Sequence, residues 1–155
     1  NLLNTRRIVF VLAAIVFIIT AINSHGYNHG DEHFQIIEFS GLKLGTTSPA
    51  ELAWEFDHQM RPSLQPTICY FVLSATENMG ITNPYSQVLV LRLLTAILAL
   101  FTIRFFVQNT IHFIKDKKAK LIYLITSYFL WFIPFLNVRF CSETWSSLFF
   151  MLAFH

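Results

Sequence analysis

The chain has 155 residues, 54% of them apolar or aromatic and only 13% charged. With the five glycines added the apolar share is about 57%, against roughly 45–50% for a soluble domain. Eleven Lys/Arg and nine Asp/Glu are too few to cover a water-soluble surface, so the bilayer is the expected solvent, and the net charge of +2 excludes a nucleic-acid groove.

Arg6 and Arg7 precede an uncharged run from Ile8 to Ile22 in which only Thr20 is polar. Its fifteen residues are short for a span of about 20, so Arg6 and Arg7 are expected to snorkel to the headgroups and supply the missing length. A signal peptide is the competing interpretation, but the exit Thr20-Ala21-Ile22-Asn23-Ser24 lacks a good small-x-small cleavage site and further apolar runs follow. In the connection from 23 to 87, Asp31 to Ser40 has the pattern of an amphipathic helix with Phe34, Ile36, Ile37 and Phe39 toward the membrane. Pro66 to Thr76 is too short to cross and suits a re-entrant or interfacial helix. A second span is expected over Val88 to Val107, with Arg92 and Arg104 near its ends. A third runs over Leu121 to Leu136, with Tyr123 and Trp131 as interfacial anchors. A fourth begins near Thr144 and is cut off at His155, inside an apolar run with neither cap nor polar tail, which is the pattern of a piece of a longer polytopic protein.

The basic residues fall in two tight groups, Arg6-Arg7 and the four lysines of 115–120. Both lie on one side if the first two spans cross, and the positive-inside rule makes that side cytoplasmic. The 23–87 loop then faces outward, and its seven acidic residues against Lys43 and Arg61 agree with that orientation. Cys69 and Cys141 lack the spacing of a zinc or redox site and are expected to be core thiols.

The adjacent carboxylates Asp31 and Glu32 lie about nine residues past the first span, at the membrane boundary, a position that suits a general base taking a proton from a hydroxyl. The alternative is that Asp31 caps the helix that follows. His25, His29 and His33 recur every four residues, but Gly26 and Gly30 argue against one helical face, so hydrogen-bonded loop histidines are favoured over metal ligands. Trp54-Glu55-Phe56 with Arg61 combines aromatic surface for a sugar ring with a planar fork for phosphate, or else forms an interfacial belt with a snorkelling arginine. Arg92, Arg139 and Glu143 are brought to the same membrane face, where ionisable residues are costly and therefore functional candidates.

Three of these segments together resemble the family 22 glycosyltransferases, the lipid-linked-mannose mannosyltransferases that build glycolipid anchors and N-glycan precursors. His29-Gly30-Asp31-Glu32-His33-Phe34-Gln35, followed by Glu38, resembles the signature HPDE-x-x-Q-x-x-E of the first outer loop. Ala53-Trp54-Glu55-Phe56 with Arg61 resembles the TWEW segment and its following arginine, and Arg139-Phe140-Cys141-Ser142-Glu143 resembles R-x-x-S-[NE]. Gly30 stands in place of a proline and Ala53 in place of a threonine.

The resemblance implies an all-α integral membrane protein, a polytopic glycosyltransferase C helical bundle of about ten or more spans, with this chain as its N-terminal third. It implies an inverting transfer of mannose from a polyprenyl (dolichyl-type) phosphate sugar to a glycan or glycolipid acceptor. Asp31 would be the base and Glu32 its orienting partner, with Arg61, Arg139 or Arg92 at the donor phosphate. His29, His33, Gln35, Trp54, Glu55 and Glu143 would lie near sugar or acceptor. No metal cofactor is required, although Asp31 and Glu32 leave room for a divalent ion. Residue usage and the Ser142-Glu143 variant favour a bacterial plasma membrane over an endoplasmic reticulum membrane. The rival functions are a transporter or channel subunit and a non-catalytic subunit of a glycosylation complex.

Overall fold

A computed structural model describes residues 2–154; Asn1, and His155 at the end of the expected fourth span, lie outside the described residues. The described residues form helices and connecting turns, with no strand among them. Three stretches are long and apolar enough to cross a membrane: 3–23, 84–113 and 117–136.

Helix α1 covers Leu2–Asn23, so the first span is longer than the uncharged run, and Arg6 and Arg7 are part of its first turns. Twenty-two residues rise about 33 Å, enough for the ~30 Å hydrocarbon core without any added reach. Val9, Ala13, Phe17 and Ala21 repeat every four residues and form its buried stripe. The opposite side, with Ile8, Val11, Leu12, Ile15 and Ile19, is exposed and suits lipid.

The partner of that stripe is α4, Pro84–Thr110, which is capped by the Asn83 side chain accepting from the Tyr85 N–H and carries Pro84 at its first position. Its Ala96, Ala99, Leu100, Ile103 and Val107 share one core with the α1 stripe. In lipid there is little hydrophobic drive between helices, so close approach through small residues such as Ala13, Ala21 and Ala99 carries the packing.

Between α1 and α4 the connecting loop folds into two short helical units. A π-helical turn, Glu32–Ile37, runs into α2, Glu38–Leu44, which ends where Gly45 takes φ +77° and its N–H reaches the Gly41 and Leu42 carbonyls. Ile36 lies in a second core with Cys69, Leu73, Leu91 and Phe140, so that face of the segment turns into the protein and not toward the membrane as its pattern suggested. Phe34 remains exposed. Helix α3, Leu64–Asn78, rises only about 22 Å, too little to cross. It is tied to α2 by Ser40 Oγ donating to the Pro66 carbonyl and by Lys43 Nζ donating to Thr67 Oγ1.

Helix α5, Lys117–Phe129, starts at the Asp116 cap, which accepts from the Ala119 N–H at 2.7 Å, so three of the four lysines stand on the first helical turn and not in a loop. The third span breaks at Leu130, before α6, Phe132–Leu136. Pro134 explains the break, since its ring clashes with a helical carbonyl four residues earlier and it lacks an N–H to bond it. Helix α7, Ser142–Ala153, packs back on α4, with the Trp145 indole N–H donating to Thr95 Oγ1 at 3.0 Å.

The α1–α4 contact predicts that Ala13→Phe, which overfills a fully buried site, destabilises the folded protein by about 1–3 kcal/mol. Leu12→Phe on the exposed side should leave it unchanged. Thermal unfolding of both variants in detergent checks the contrast.

Candidate active site

The site is organised by the five residues that follow α1. Gly26 adopts φ +62°, a conformation costly for any residue with a Cβ, and so turns the chain sharply as it leaves α1. Its carbonyl accepts from Arg92 Nη2 and also from Arg139 Nη1 at 3.2 Å, while Arg92 Nη1 donates to the Ser24 carbonyl. Arg92 comes from α4 and Arg139 from the link between α6 and α7, so one short turn gathers three parts of the fold. Both arginines are buried, and their Nε atoms have no protein partner among the described residues.

Glu32 closes this cluster. Its Oε1 accepts the Asn28 N–H at 3.0 Å and its Oε2 lies 3.8 Å from Arg139 Nη1, with both side chains less than a tenth exposed. Arg139 also lies over the Phe135 ring, 5.3 Å from its centre. Asp31, the residue before it, differs sharply. Its side chain is 25% exposed, it makes no helix-capping hydrogen bond, and its Oδ2 lies 3.5 Å from His29 Nδ1. The expected capping role is therefore absent: Asp31 already has helical backbone angles, which point its carboxylate away from the orphan N–H groups of the turn.

Two cavities meet at Glu32. One, of about 530 Å³, lies among the end of α1, the π-helical turn and the start of α4, and is lined by Tyr27, His33, Tyr85, Leu89 and Arg92 among others. The second, of about 500 Å³, is bounded by α6 and α7 and lined by His29, Asn137, Arg139, Glu143 and Ser147. Glu143 is exposed in the first turn of α7.

The other motifs join this face through hydrogen bonds. Gln35 Nε2 donates to Glu55 Oε2 at 2.8 Å, and Arg61 Nη2 donates to Glu55 Oε1 at 2.7 Å, so Glu55 links the acidic turn to the arginine. That bond raises the proton affinity of the Arg61 guanidinium, against a smaller cost of burial, and the fields of Asp31 and Glu143 act in the same direction. Trp54 is exposed and edge-on to His58. His33 pairs with Glu38 Oε1 at 3.3 Å and stacks on Tyr27. Ser142 Oγ donates to Gln65 Oε1 at 2.9 Å, fastening the third motif to α3.

His25, His29 and His33 are not gathered into a three-ligand group, and no such group of His, Cys, Asp or Glu occurs among the described residues. Cys69 and Cys141 are buried free thiols; burial pushes Cys69 up to about 11 and raises Cys141 as well. The parts that residue patterns did not single out are the Ser24 carbonyl, the Asn28 N–H and Gln65. Backbone groups carry no sequence signal beyond the glycine beside them.

The geometry predicts that Arg92→Gln loosens the turn after α1, because the carbonyl of buried Ser24 loses its donor, a cost of about 1–3 kcal/mol, and the Gly26 carbonyl keeps only Arg139. Hydrogen exchange should then show faster exchange at 24–32 with α1 itself still protected. The arrangement of charged motifs also agrees with comparison to known sequences: the model of the Alg9-like mannosyltransferase family matches residues 8–155. No curated protein and no solved structure matches the chain. Apolar helices of spanning length, charged motifs joined around the turn after α1 and a match over nearly the whole chain lead to one conclusion: the chain belongs to the Alg9-like mannosyltransferase family and is a membrane glycosyltransferase.

Proposed function

We propose that the protein is an inverting mannosyltransferase that takes mannose from a polyprenyl phosphate sugar and transfers it to a hydroxyl of a glycan or glycolipid acceptor on the non-cytoplasmic face of a membrane, with a bacterial plasma membrane as the favoured setting. The observation that carries this proposal is the division of labour within the acid pair. Glu32 is held by the Asn28 N–H and Arg139, whereas Asp31 makes no capping bond and keeps a quarter of its side chain exposed. Asp31 is therefore the acid free to take up a proton.

In the proposed step the acceptor oxygen attacks the anomeric carbon and its proton passes to Asp31. The bond from that carbon to the donor phosphate oxygen breaks, and polyprenyl phosphate leaves with the bonding pair. One displacement inverts the anomeric centre. Glu32 keeps the turn and Arg139 in register, so it acts as a positioning residue.

The leaving phosphate needs positive charge and not a proton. Around Glu32 two buried guanidiniums, Arg92 and Arg139, face one carboxylate, one guanidinium lining each cavity. Arg92 and Arg139, each lining one of the cavities, are suited to phosphate oxygens, and Arg61 would add charge from the loop side. No metal is needed for this charge balance. Trp54 offers an open aromatic face to a sugar, and His29 and Glu143 border the cavity suited to the acceptor.

Asp31→Asn is expected to lower mannose transfer by about 10²–10⁴-fold with insertion and melting temperature unchanged. A transporter would retain its flux in that variant, and a non-catalytic subunit would neither bind nor consume polyprenyl phosphate mannose when purified. Transfer that survives the substitution, or that runs from nucleotide-linked mannose alone, contradicts the proposal. Arg61→Ala and Arg139→Ala should raise KM for the donor more than for the acceptor; equal changes would count against a phosphate role.

Orientation has its own test. Because Cys69 and Cys141 are buried, an impermeant thiol reagent should label Ser48→Cys from outside and Lys118→Cys only after the cytoplasmic side is opened. The reverse pattern would put the acidic loop in the cytoplasm.

A further inference from the structure

At the other end of α1, about 26 Å from the turn at Asn23, the molecule has a third cavity that the transfer chemistry does not use. It is a crevice of about 400 Å³ formed by α1, α4 and α5. Arg6, Arg7 and Arg104 are among its lining residues, and no acidic residue lines it. The Nε of Arg6 is buried with no partner among the described residues. Arg104 packs over the Phe10 ring at 4.8 Å, which fixes one of the charges at the crevice wall.

We propose that this crevice binds the phosphate of an anionic phospholipid from the leaflet opposite the acidic loop. Charge complementarity selects the headgroup, since three like charges crowd a mostly apolar cleft and an anion there relieves their repulsion. Position selects a lipid as the occupant. The arginines stand near one end of two spanning helices, where headgroup phosphates lie, and Leu3 and Val11 at the crevice are exposed on the side that suits acyl chains. The volume falls in the ~300–1,000 Å³ range of small-ligand sites, so it holds a headgroup and the first carbons of a chain, with the remainder in the bilayer. The proposal rests on the membrane placement of the helices and is independent of the transfer chemistry.

The test is lipid retention by the full-length protein in detergent, read by native mass spectrometry with phosphatidylglycerol and phosphatidylcholine of matched chains. The wild type should prefer phosphatidylglycerol by about fivefold per arginine, roughly a hundredfold together, and Arg6→Gln/Arg7→Gln/Arg104→Gln should lose that preference. Lys117→Gln/Lys118→Gln, which removes nearby charge outside the crevice, should keep it. Val11→Trp retains all three arginines but narrows the crevice, and should also lower retention. Equal retention of the two lipids by the wild type would overturn the proposal, as would equal loss in the lysine and arginine variants or full retention in Val11→Trp. Displacement of the bound lipid by millimolar inorganic phosphate would overturn it too, by making free phosphate the ligand. Because the readout is a mass and not a turnover, its failure is distinguishable from failure of the mannosyltransferase assignment.

Discussion

A single carbonyl oxygen, that of Gly26, receives hydrogen bonds from two buried arginines, and the rest of the candidate site is arranged around that meeting point. A guanidinium removed from water must be paired or solvated by dipoles, or the fold loses several kcal/mol. Arg92 meets that requirement at the carbonyls where the chain leaves α1, and Arg139 at the same turn and at Glu32. The requirement brings the end of the first span, the start of the second and the link before α7 to one place. Glu32 supplies the matching negative charge and sets the helical turn that carries Asp31. Packing of α1 on α4 aligns the two spans, but the polar knot decides where the loop between them sits.

The same knot explains how neighbouring acids come to differ. Successive residues on a helix point about 100° apart, so when Glu32 turns inward to Arg139, Asp31 is left partly exposed. A β-strand would have sent the two to opposite faces; a helix keeps them close while giving them unlike surroundings. Gln35, one turn further, reaches Glu55 and through it Arg61, so the two loop motifs are joined without a rigid sheet.

The spans and the helical class were readable from hydrophobic runs, because lipid demands long apolar helices and few sequences satisfy that demand by accident. Their ends were less readable. Arg6 and Arg7 looked like flanks but lie within α1, and the lysines after Asp116 looked like a loop but begin α5, since charge does not break a helix. The break at Leu130 follows from Pro134, whose effect falls four residues before it. Ile36 was misread as membrane-facing because a pattern of apolar residues does not say which of two apolar partners covers them. In the site, the side chains of Asp31, Glu32, Arg61, Arg92, Arg139 and Glu143 were visible as costly charges at a membrane edge. Their pairing was not, because Arg92 and Arg139 are held mainly by backbone carbonyls at 24 and 26, which every residue type provides.

The central claim is that Asp31, and not the locked Glu32, receives the acceptor proton. The most direct measurement is a structure of the full-length protein with polyprenyl phosphate mannose and acceptor bound. The account predicts the Asp31 carboxylate about 2.6–3.2 Å from the attacking hydroxyl, with Glu32 still on Arg139 and the donor phosphate on the arginine side. An acceptor hydroxyl bonded instead to a Glu32 released from Arg139, with Asp31 facing solvent away from the anomeric carbon, would contradict it.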